Sequence, residues 1–266
     1  MKSRFAWLMK NPVAITAISL FLLLFFSHAR ADVVSAADVD EYEVLERGST
    51  KIKIDAEFDE WRLAENVLIM GGDVWEALGG SWDDDEDLTA ELRIVYDTDN
   101  LYFALLVKDS EYVAEAATPW ENDGVQLAIN AITEDFPPAA GLTPDTHLYN
   151  FSINDGWQKE NGTFLGDAEI EMVRDDDKKE TRFEWRMDTE IFDEGEELKT
   201  GKKIAFALIA NDSDEDAKGQ TGWVGWGNNT IVHGKNPEEM KTLVLSPNSL
   251  AVDANGKLPT TWGALK

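Results

Sequence analysis

Alternation of apolar and polar residues with a period of two is the pattern that most limits the fold of this chain. Between residues 90 and 96 every second residue is apolar or aromatic, which is the spacing of one face of a β-strand. Asp97 to Asn100 then favours a tight turn. Leu101 to Val107 is almost continuously apolar, so the two segments predict a hairpin near the centre of a sheet. The same period recurs in five later segments: Val125–Ile129, Tyr149–Ile153, Ile170–Met172, Phe183–Met187 and Ile204–Leu208.

The face opposite Phe183 and Met187 is wholly charged, because it carries Arg182, Glu184 and then Arg186 and Asp188. One apolar face and one face in water is typical of antiparallel sheets. Helical periodicity is scarce, apart from one short turn predicted at residues 189–192. The sequence therefore predicts an all-β fold, an antiparallel two-sheet β-sandwich of jelly-roll or immunoglobulin-like type, in a single domain.

The N-terminus has the features of an export signal. Three basic residues precede the apolar run Val13 to Phe26, and Ala29-Arg30-Ala31 offers a small-residue cleavage site. The run is too short to span a bilayer, which takes about 20 residues. We expect a secreted or periplasmic protein with a cleaved signal, and an uncleaved anchor is the alternative. The predicted division is a signal peptide at 1–31, a flexible acidic linker at 32–50, the β-sandwich at 51–247, and an edge strand or tail at 248–266.

Charge and cysteine content exclude several classes of function. Cleavage removes four of the 24 basic residues and none of the 52 acidic ones, which leaves a formal charge of −32. Nucleic acids and anionic membrane surfaces both bind basic surfaces, so neither is an expected partner, and no membrane insertion is expected after cleavage. With no cysteine, the chain has no disulfide, thiolate zinc site or cysteine nucleophile. Stability must come from a large core.

Ten tryptophans are the first feature that points to a ligand. Trp61 and Trp185 lie within apolar alternation and are predicted core residues. The others considered lie in Gly-, Asp- and Asn-rich segments between strands. A flat indole there could stack on the C–H face of a sugar ring, or it could simply cover an open end of the sandwich. These are Trp75, Trp82, Trp120, Trp157, Trp223 and Trp226.

The segment from Trp120 to Gln126 runs from a loop into a predicted strand. Because side chains alternate along a strand, Gln126 faces away from Val125 and Leu127. Its amide can donate and accept hydrogen bonds, as a pair of sugar hydroxyls requires. Gln126 is therefore a candidate ligand contact beside the indole of Trp120.

Together these motifs resemble the family 9 carbohydrate-binding modules and their DOMON-like β-sandwich relatives. The resemblance covers about residues 50 to 246. It is carried by Ile54–Trp61 with Ala64, by Tyr96–Ala104, by Trp120 with Asp123, Val125 and Gln126, and by Asn211–Asp214 leading to Trp223 or Trp226.

The resemblance implies a sugar held between two tryptophans, Trp120 and either Trp226 or Trp223. Gln126, Asp123 and Asn228 are the expected hydroxyl partners. Gln126 replaces the usual Glu of the family, so sugar specificity cannot be carried over. Ala56 replaces a usual Gly, which is a structural change.

Family members also bind calcium through acidic loops, so a structural calcium ion is expected here. The expected ligands are Asp55 and Asp59 in one loop and Asn211, Asp212, Asp214 and Asp216 in another, with Asp83–Asp87 as a further candidate. Oxygen-rich loops suit a hard cation, although a solvated acidic loop would have the same composition. The 212–223 segment is not an EF-hand, because Ala217 and Trp223 stand where such a loop has Gly and Glu.

The expected function is therefore non-catalytic binding of a mono- or oligosaccharide, with a glycoside hydrolase or an uptake system as the expected protein partner. A glycoside hydrolase is one alternative, with Glu121 and Asp123 as its acids. A b-type haem protein is another. Its candidate ligands are Met70, Met172, Met187, Met240, His147 and His233.

Overall fold

The computed structural model describes residues 33–116, 118–130, 142–143, 146–161, 169–189, 197–214, 219–227 and 230–250. The predicted signal peptide and residues 251–266 lie outside these ranges. Within them, no helix is both long enough and apolar enough to cross a membrane.

The described residues form fourteen strands and short 3-10 helices, with no α-helix among them. The strands are β1 Val33–Ser35, β2 Glu41–Glu46, β3 Val67–Met70, β4 Trp75–Ala77, β5 Leu88–Tyr96, β6 Asn100–Asp109, β7 Val125–Asn130, β8 His147–Ser152, β9 Gly156–Asn161, β10 Ile170–Asp175, β11 Glu180–Asp188, β12 Lys203–Asp212, β13 Gly222–Trp226 and β14 Lys241–Ser249. The predicted all-β class is confirmed.

Hydrogen bonds join all fourteen strands into one sheet, in the order β10-β11-β6-β5-β2-β14-β12-β7-β8-β9 with β1, β3, β4 and β13 branching from it. Three pairs are parallel, namely β1 with β3, β2 with β5 and β2 with β14. The other pairs are antiparallel, as the alternation predicted. The predicted division into two separate sheets is not confirmed.

The sheet folds over so that strands far apart in its order pack face to face, as in a β-sandwich. Phe103 of β6 stacks on Phe206 of β12 with ring centroids 5.9 Å apart, and on Trp185 of β11 at 4.8 Å. These rings lie in the main core, whose members come from both halves of the sheet. Apolar area removed from water stabilises by about 25 cal/mol per Å², so these large rings account for much of the stability of the domain.

The predicted hairpin is confirmed in β5 and β6. Asp97 determines its turn, because Asp97 Oδ1 accepts hydrogen bonds from the backbone N–H groups of Asp99 and Asn100 at 3.0 and 2.9 Å. This is the local bonding for which Asp is favoured in turns. Arg47 holds the other oxygen of the Asp97 carboxylate at 2.6 Å.

The prediction that residues 32–50 form a flexible linker is wrong for the described part of that segment. It forms β1 and β2, and β2 lies in the middle of the sheet between β5 and β14. Tyr42 and Val44 are buried there. Their alternation with Glu41 and Glu43 is the usual period of a strand, but it extends over too few residues to stand out against the acidic composition.

The charged face of β11 is only in part the water-facing surface that the sequence predicted, since Asp188 is exposed and Arg182 and Arg186 are partly exposed. Glu184 is wholly buried, because the segment 54–64 packs over this side of the sheet. The Glu184 carboxylate accepts hydrogen bonds from Asp55 N–H at 2.9 Å, from Ala56 N–H at 2.7 Å and from Trp61 Nε1 at 2.7 Å. Ala56 has a φ of +57°, a conformation that favours glycine.

Candidate functional site

A surface cavity of about 700 Å³ lies beside Trp120. It is bounded by the Trp120 loop, by the loop that follows β4, and by the segments on either side of β13. The lining residues are Leu78, Gly79, Trp120, Glu121, Gln126, Glu160, Gly219, Gln220, Thr221, Ile231, Val232 and Lys235. A cavity of this size fits a small organic ligand.

Trp120 presents an open ring at this cavity, with 43 % of the residue exposed. It lies in the 3-10 helix Pro119–Glu121, whose backbone is bound to β12 and the residue after it. The side-chain amide of Asn211 donates to the Trp120 carbonyl at 3.3 Å, and Ser213 Oγ donates to the Glu121 carbonyl at 3.2 Å. These bonds hold the backbone from which the exposed indole projects.

A row of buried amide side chains lies next to the ring. Gln126 of β7 is directly opposite Asn150 of β8 in the sheet register. Gln126 Nε2 donates to Asn211 Oδ1 at 3.1 Å, and Gln220 Nε2 donates to the same oxygen at 2.8 Å. Asn150 is 4 % exposed, and its Oδ1 has no hydrogen-bond partner among the described residues. The row therefore offers both donors and acceptors, which a polyhydroxylated ligand needs.

Trp223 and Trp226 were expected to offer further open rings, and this expectation is wrong. Trp226 is 1 % exposed and packs in the main core, where its Nε1 donates to the Val39 carbonyl at 2.8 Å. Trp223 is wholly buried in a smaller apolar cluster with Ala207 and Ile209. The two residues are three apart on one strand, so they face opposite sides of the sheet, and both sides are covered.

Asp123, a predicted hydroxyl partner, does not line the cavity. It is 2 % exposed, and one of its carboxylate oxygens accepts from the backbone N–H of Val113. Asp109 and Asp212 are buried nearby. We refer to Asp109, Asp123 and Asp212 as the buried aspartate cluster.

Burial, with the charges of its neighbours, raises the pKa of every carboxyl group in this cluster. The pKa of Asp109 rises to about 7, that of Asp123 to about 10 and that of Asp212 to about 6, in each case chiefly through loss of solvation. Arg174 lowers the pKa of Asp109, and its guanidinium donates to the Asp109 carbonyl at 3.0 Å. One oxygen of Asp123, Oδ1, is buried without a hydrogen-bond partner among the described residues. The surroundings of the cluster therefore do not fully compensate the negative charge that its three carboxyl groups would carry when ionised.

The residues expected to bind calcium are dispersed. Asp55 forms an ion pair with Lys53, whose hydrogen bond lowers the pKa of that carboxyl, and Asp59 forms one with Arg62. Asn211 belongs to the amide row, while Asp212 Oδ2 accepts from Thr221 Oγ1 at 2.8 Å. Asp216 and the hydroxyl partner Asn228 lie outside the described residues. Within the described ranges, no three carboxylate or imidazole groups are arranged to hold a metal ion.

Some of the residues considered for the two alternative functions are enclosed in the fold. Met70 and Met187, considered as haem ligands, are wholly buried among core side chains. Of the two candidate acids of a hydrolase, Glu121 lines the cavity and accepts from Thr118 Oγ1, whereas Asp123 is enclosed.

Several residues that line the cavity were not predicted from the sequence. Leu78, Gln220 and Ile231 have no distinctive spacing, and they reach the cavity through contacts between distant segments. Lys235 forms an ion pair with Glu160 across the cavity wall, and burial lowers the pKa of its ammonium group. One available signal was the group Gly79-Gly80, since paired glycines mark a tight loop.

Solved structures with a similar fold include carbohydrate-binding modules. A family 9 module from Caldicellulosiruptor kristjanssonii, solved in complex with glucose, aligns with a TM-score of 0.62 at 17% identity over 80% of this chain and 99% of that one. The same kind of module in complex with cellotriose aligns with a TM-score of 0.62 at 18% identity over 83% and 99%. A putative carbohydrate-binding protein from Bacteroides uniformis aligns with a TM-score of 0.50 at 12% identity over 77% and 99%. No curated protein gives a significant match.

The family comparison agrees with the residues that carry the resemblance in the sequence. The model described as "Carbohydrate family 9 binding domain-like" matches residues 54–248, from the segment that binds Glu184 to the last strand. This chain belongs to the carbohydrate family 9 binding domain-like family.

Proposed function

We propose that this protein is a non-catalytic carbohydrate-binding module that holds a mono- or oligosaccharide in the cavity beside Trp120. The observation that carries the proposal is the position of a half-exposed indole, on a backbone held by hydrogen bonds, next to a row of buried amides. The indole supplies a flat apolar surface for the C–H face of a pyranose. Gln126, Gln220 and Asn150 supply donors and acceptors for the hydroxyl groups.

Family membership supports the same ligand class. The related modules from C. kristjanssonii were solved with glucose and with cellotriose, and a cavity of about 700 Å³ has room for a short oligosaccharide. The neutral amide of Gln126, where the family usually has Glu, gives this chain a different set of hydroxyl contacts. We therefore propose that the ligand is a glucose-type sugar, and that this chain selects among such sugars differently from other members of the family.

The direct test is calorimetry with glucose, cellotriose, xylotriose and laminaritriose on the wild type and on Trp120→Ala. Loss of a stacking ring should weaken binding by about 1 to 3 kcal/mol, by analogy with bases stacked on aromatic side chains. Trp120→Phe keeps a smaller ring and should lie between the two. A wild type that binds none of the four sugars, or a Trp120→Ala protein with unchanged affinity, would refute the proposal.

The absence of catalysis belongs to the same proposal. Glycoside hydrolysis needs two carboxyl groups on either side of the scissile bond. Glu121 lines the cavity, but the burial of Asp123 leaves it without its predicted partner acid. A chromogenic glycoside panel should show no turnover, and turnover that is lost in Glu121→Gln would contradict this part of the proposal.

We also propose that calcium binds where the Asp83–Asp87 loop approaches Asp212 and Asp214. Burial is the main cause that raises the pKa of both Asp212 and Asp214, and the negative charge of Asp87 raises both further. A divalent cation there would offset this repulsion. Calcium takes six to eight oxygen ligands, and such a site would draw on a few carboxylates and complete the set with carbonyl groups and water.

Thermal unfolding with calcium and with EGTA tests this proposal. Calcium should raise the Tm of the wild type and leave that of Asp212→Asn/Asp214→Asn unchanged. The control is Asp55→Asn/Asp59→Asn, in which the other candidate loop is altered and the calcium response should persist. A Tm that is the same with calcium and EGTA would refute a calcium site.

Export and the protein partner are further proposals that rest on the sequence. The basic start, the apolar run and the Ala-Arg-Ala segment support a cleaved signal and a secreted or periplasmic location. N-terminal sequencing of the protein recovered from outside the cytoplasm should start near Asp32. A glycoside hydrolase or an uptake system is the proposed partner, to be sought by co-purification.

A further inference from the structure

Leu78 is an unusual residue at the edge of the cavity. It is 54% exposed and is one of four large apolar side chains that are exposed in the described part of the chain. Single exposed leucines are common on protein surfaces. Here, however, two of the four, Leu78 and Trp120, line the same cavity.

The backbone around Leu78 is firmly held. Leu78 N–H and Gly80 N–H both donate to the Thr221 carbonyl, at 2.7 and 2.9 Å. Gly79 has a φ of +111°, which side chains rarely allow. A Cβ on Gly80 would lie 2.7 Å from the Cβ of Thr221, so the loop can approach this closely only with glycine there.

These features together present an aliphatic side chain at a fixed position on the cavity wall. The loop follows β4, which pairs with β13, whereas Trp120 comes from the segment before β7. The two apolar groups therefore reach the cavity from different elements. Since Trp223 and Trp226 are enclosed, neither indole is available as the second wall that the sequence predicted.

We propose that Leu78 is the second apolar wall of the sugar site and that the ligand lies against both Trp120 and the Leu78 side chain. This inference rests on the proposed carbohydrate function. An aliphatic wall covers the C–H face of a sugar less extensively than an indole does, and it makes no hydrogen bond. Leu78 therefore adds affinity through the area that it covers.

The test is the affinity of Leu78→Ala for the sugar of the panel that the wild type binds most tightly. We expect a loss of about 3- to 10-fold, from the aliphatic area that the ligand would no longer cover. Leu78→Trp should bind more tightly than the wild type. Val173→Ala is the matched control, because Val173 is also exposed but lies on β10 and does not line the cavity. Unchanged Tm values would show that the variants are folded.

The outcomes separate this inference from the function on which it rests. Weaker binding by Leu78→Ala with unchanged binding by Val173→Ala supports the second wall. Unchanged binding by Leu78→Ala, together with weaker binding by Trp120→Ala, overturns the role of Leu78 and leaves the sugar site in place. If neither variant changes binding, or if the wild type binds no sugar of the panel, the site and the wall both fail.

Discussion

Replacement of Glu184 by Ala should greatly destabilise the fold, although the residue lies on a strand face that looks charged and solvent-exposed in the sequence. The carboxylate accepts three hydrogen bonds of 2.7 to 2.9 Å, two from backbone N–H groups of residues 55 and 56 and one from Trp61 Nε1. All three donors would lose their partner at once. Trp61 is 1 % exposed, so its Nε1 cannot turn to water without undocking.

The magnitude follows from these bonds. A buried donor that loses its partner lowers the free energy of unfolding by about 1 to 3 kcal/mol. Three such donors would make the docked position of residues 54–64 unfavourable, so we expect the segment to detach in part. Partial detachment of the segment limits the loss, and we expect about 3 to 5 kcal/mol, the lower part of the range for three unsatisfied buried donors. Since 1 kcal/mol shifts the Tm of a domain of this size by about 2 to 4 °C, the Tm should fall by about 6 to 20 °C.

Urea unfolding followed by tryptophan fluorescence measures this change. Glu171→Ala is the control, because Glu171 pairs with Glu184 across β10 and β11 but is exposed, and it should stay within about 0.5 kcal/mol of the wild type. Glu184→Gln keeps one acceptor oxygen and should be less destabilised than Glu184→Ala. Stability of Glu184→Ala within about 1 kcal/mol of the wild type would show that the three hydrogen bonds contribute little, contrary to this prediction.

Three further predictions concern the buried groups near the site. The raised pKa of Asp123, about 10, means that the native state holds a proton that the unfolded chain releases above about pH 4, so stability should fall as pH rises from 5 to 9. In Asp123→Asn the fall of the free energy of unfolding with pH should be smaller than in the wild type, by up to about 1.4 kcal/mol per pH unit. Urea titrations at several pH values with EGTA measure it, and equal pH slopes in the two proteins would contradict the prediction. Trp226→Ala should lower stability by about 3 to 5 kcal/mol, as expected for a core ring, and a loss below 1 kcal/mol in the same assay would indicate a surface position. Gly222→Ala would place a Cβ 2.1 Å from the Trp75 ring and should destabilise by about 1 to 3 kcal/mol; an unchanged Tm would show that Trp75 moves freely.

Much of the strand structure could be predicted from the sequence because it depends on local patterns. Alternation over five or more residues located most of the long strands, and the Asp97 turn followed from the bonding of one side chain to its own backbone. Short strands such as β1 and β2 were missed, since three to six residues among acidic neighbours carry little periodic signal.

The candidate site could be predicted in part. Trp120 and Gln126 line the same cavity, and the sequence could place them together because they lie six positions apart on a loop and the strand that continues from it. Gln220 and Leu78 could not be found in the same way, since they reach the cavity from the segment before β13 and from the loop after β4. Asn150 could not be found either, because it lies on β8 and meets Gln126 only through the sheet register.

Local sequence is enough to specify the strand faces, the hairpin and the motifs of the family, since each of these depends on residues that are close in the chain. The tertiary structure decided which face each segment covers. That choice buried Glu184 under residues 54–64, enclosed Trp223 and Trp226, and left Trp120 open. Burial depends on contacts between distant segments, and alternation describes two faces of a strand without stating whether the second face meets water or protein.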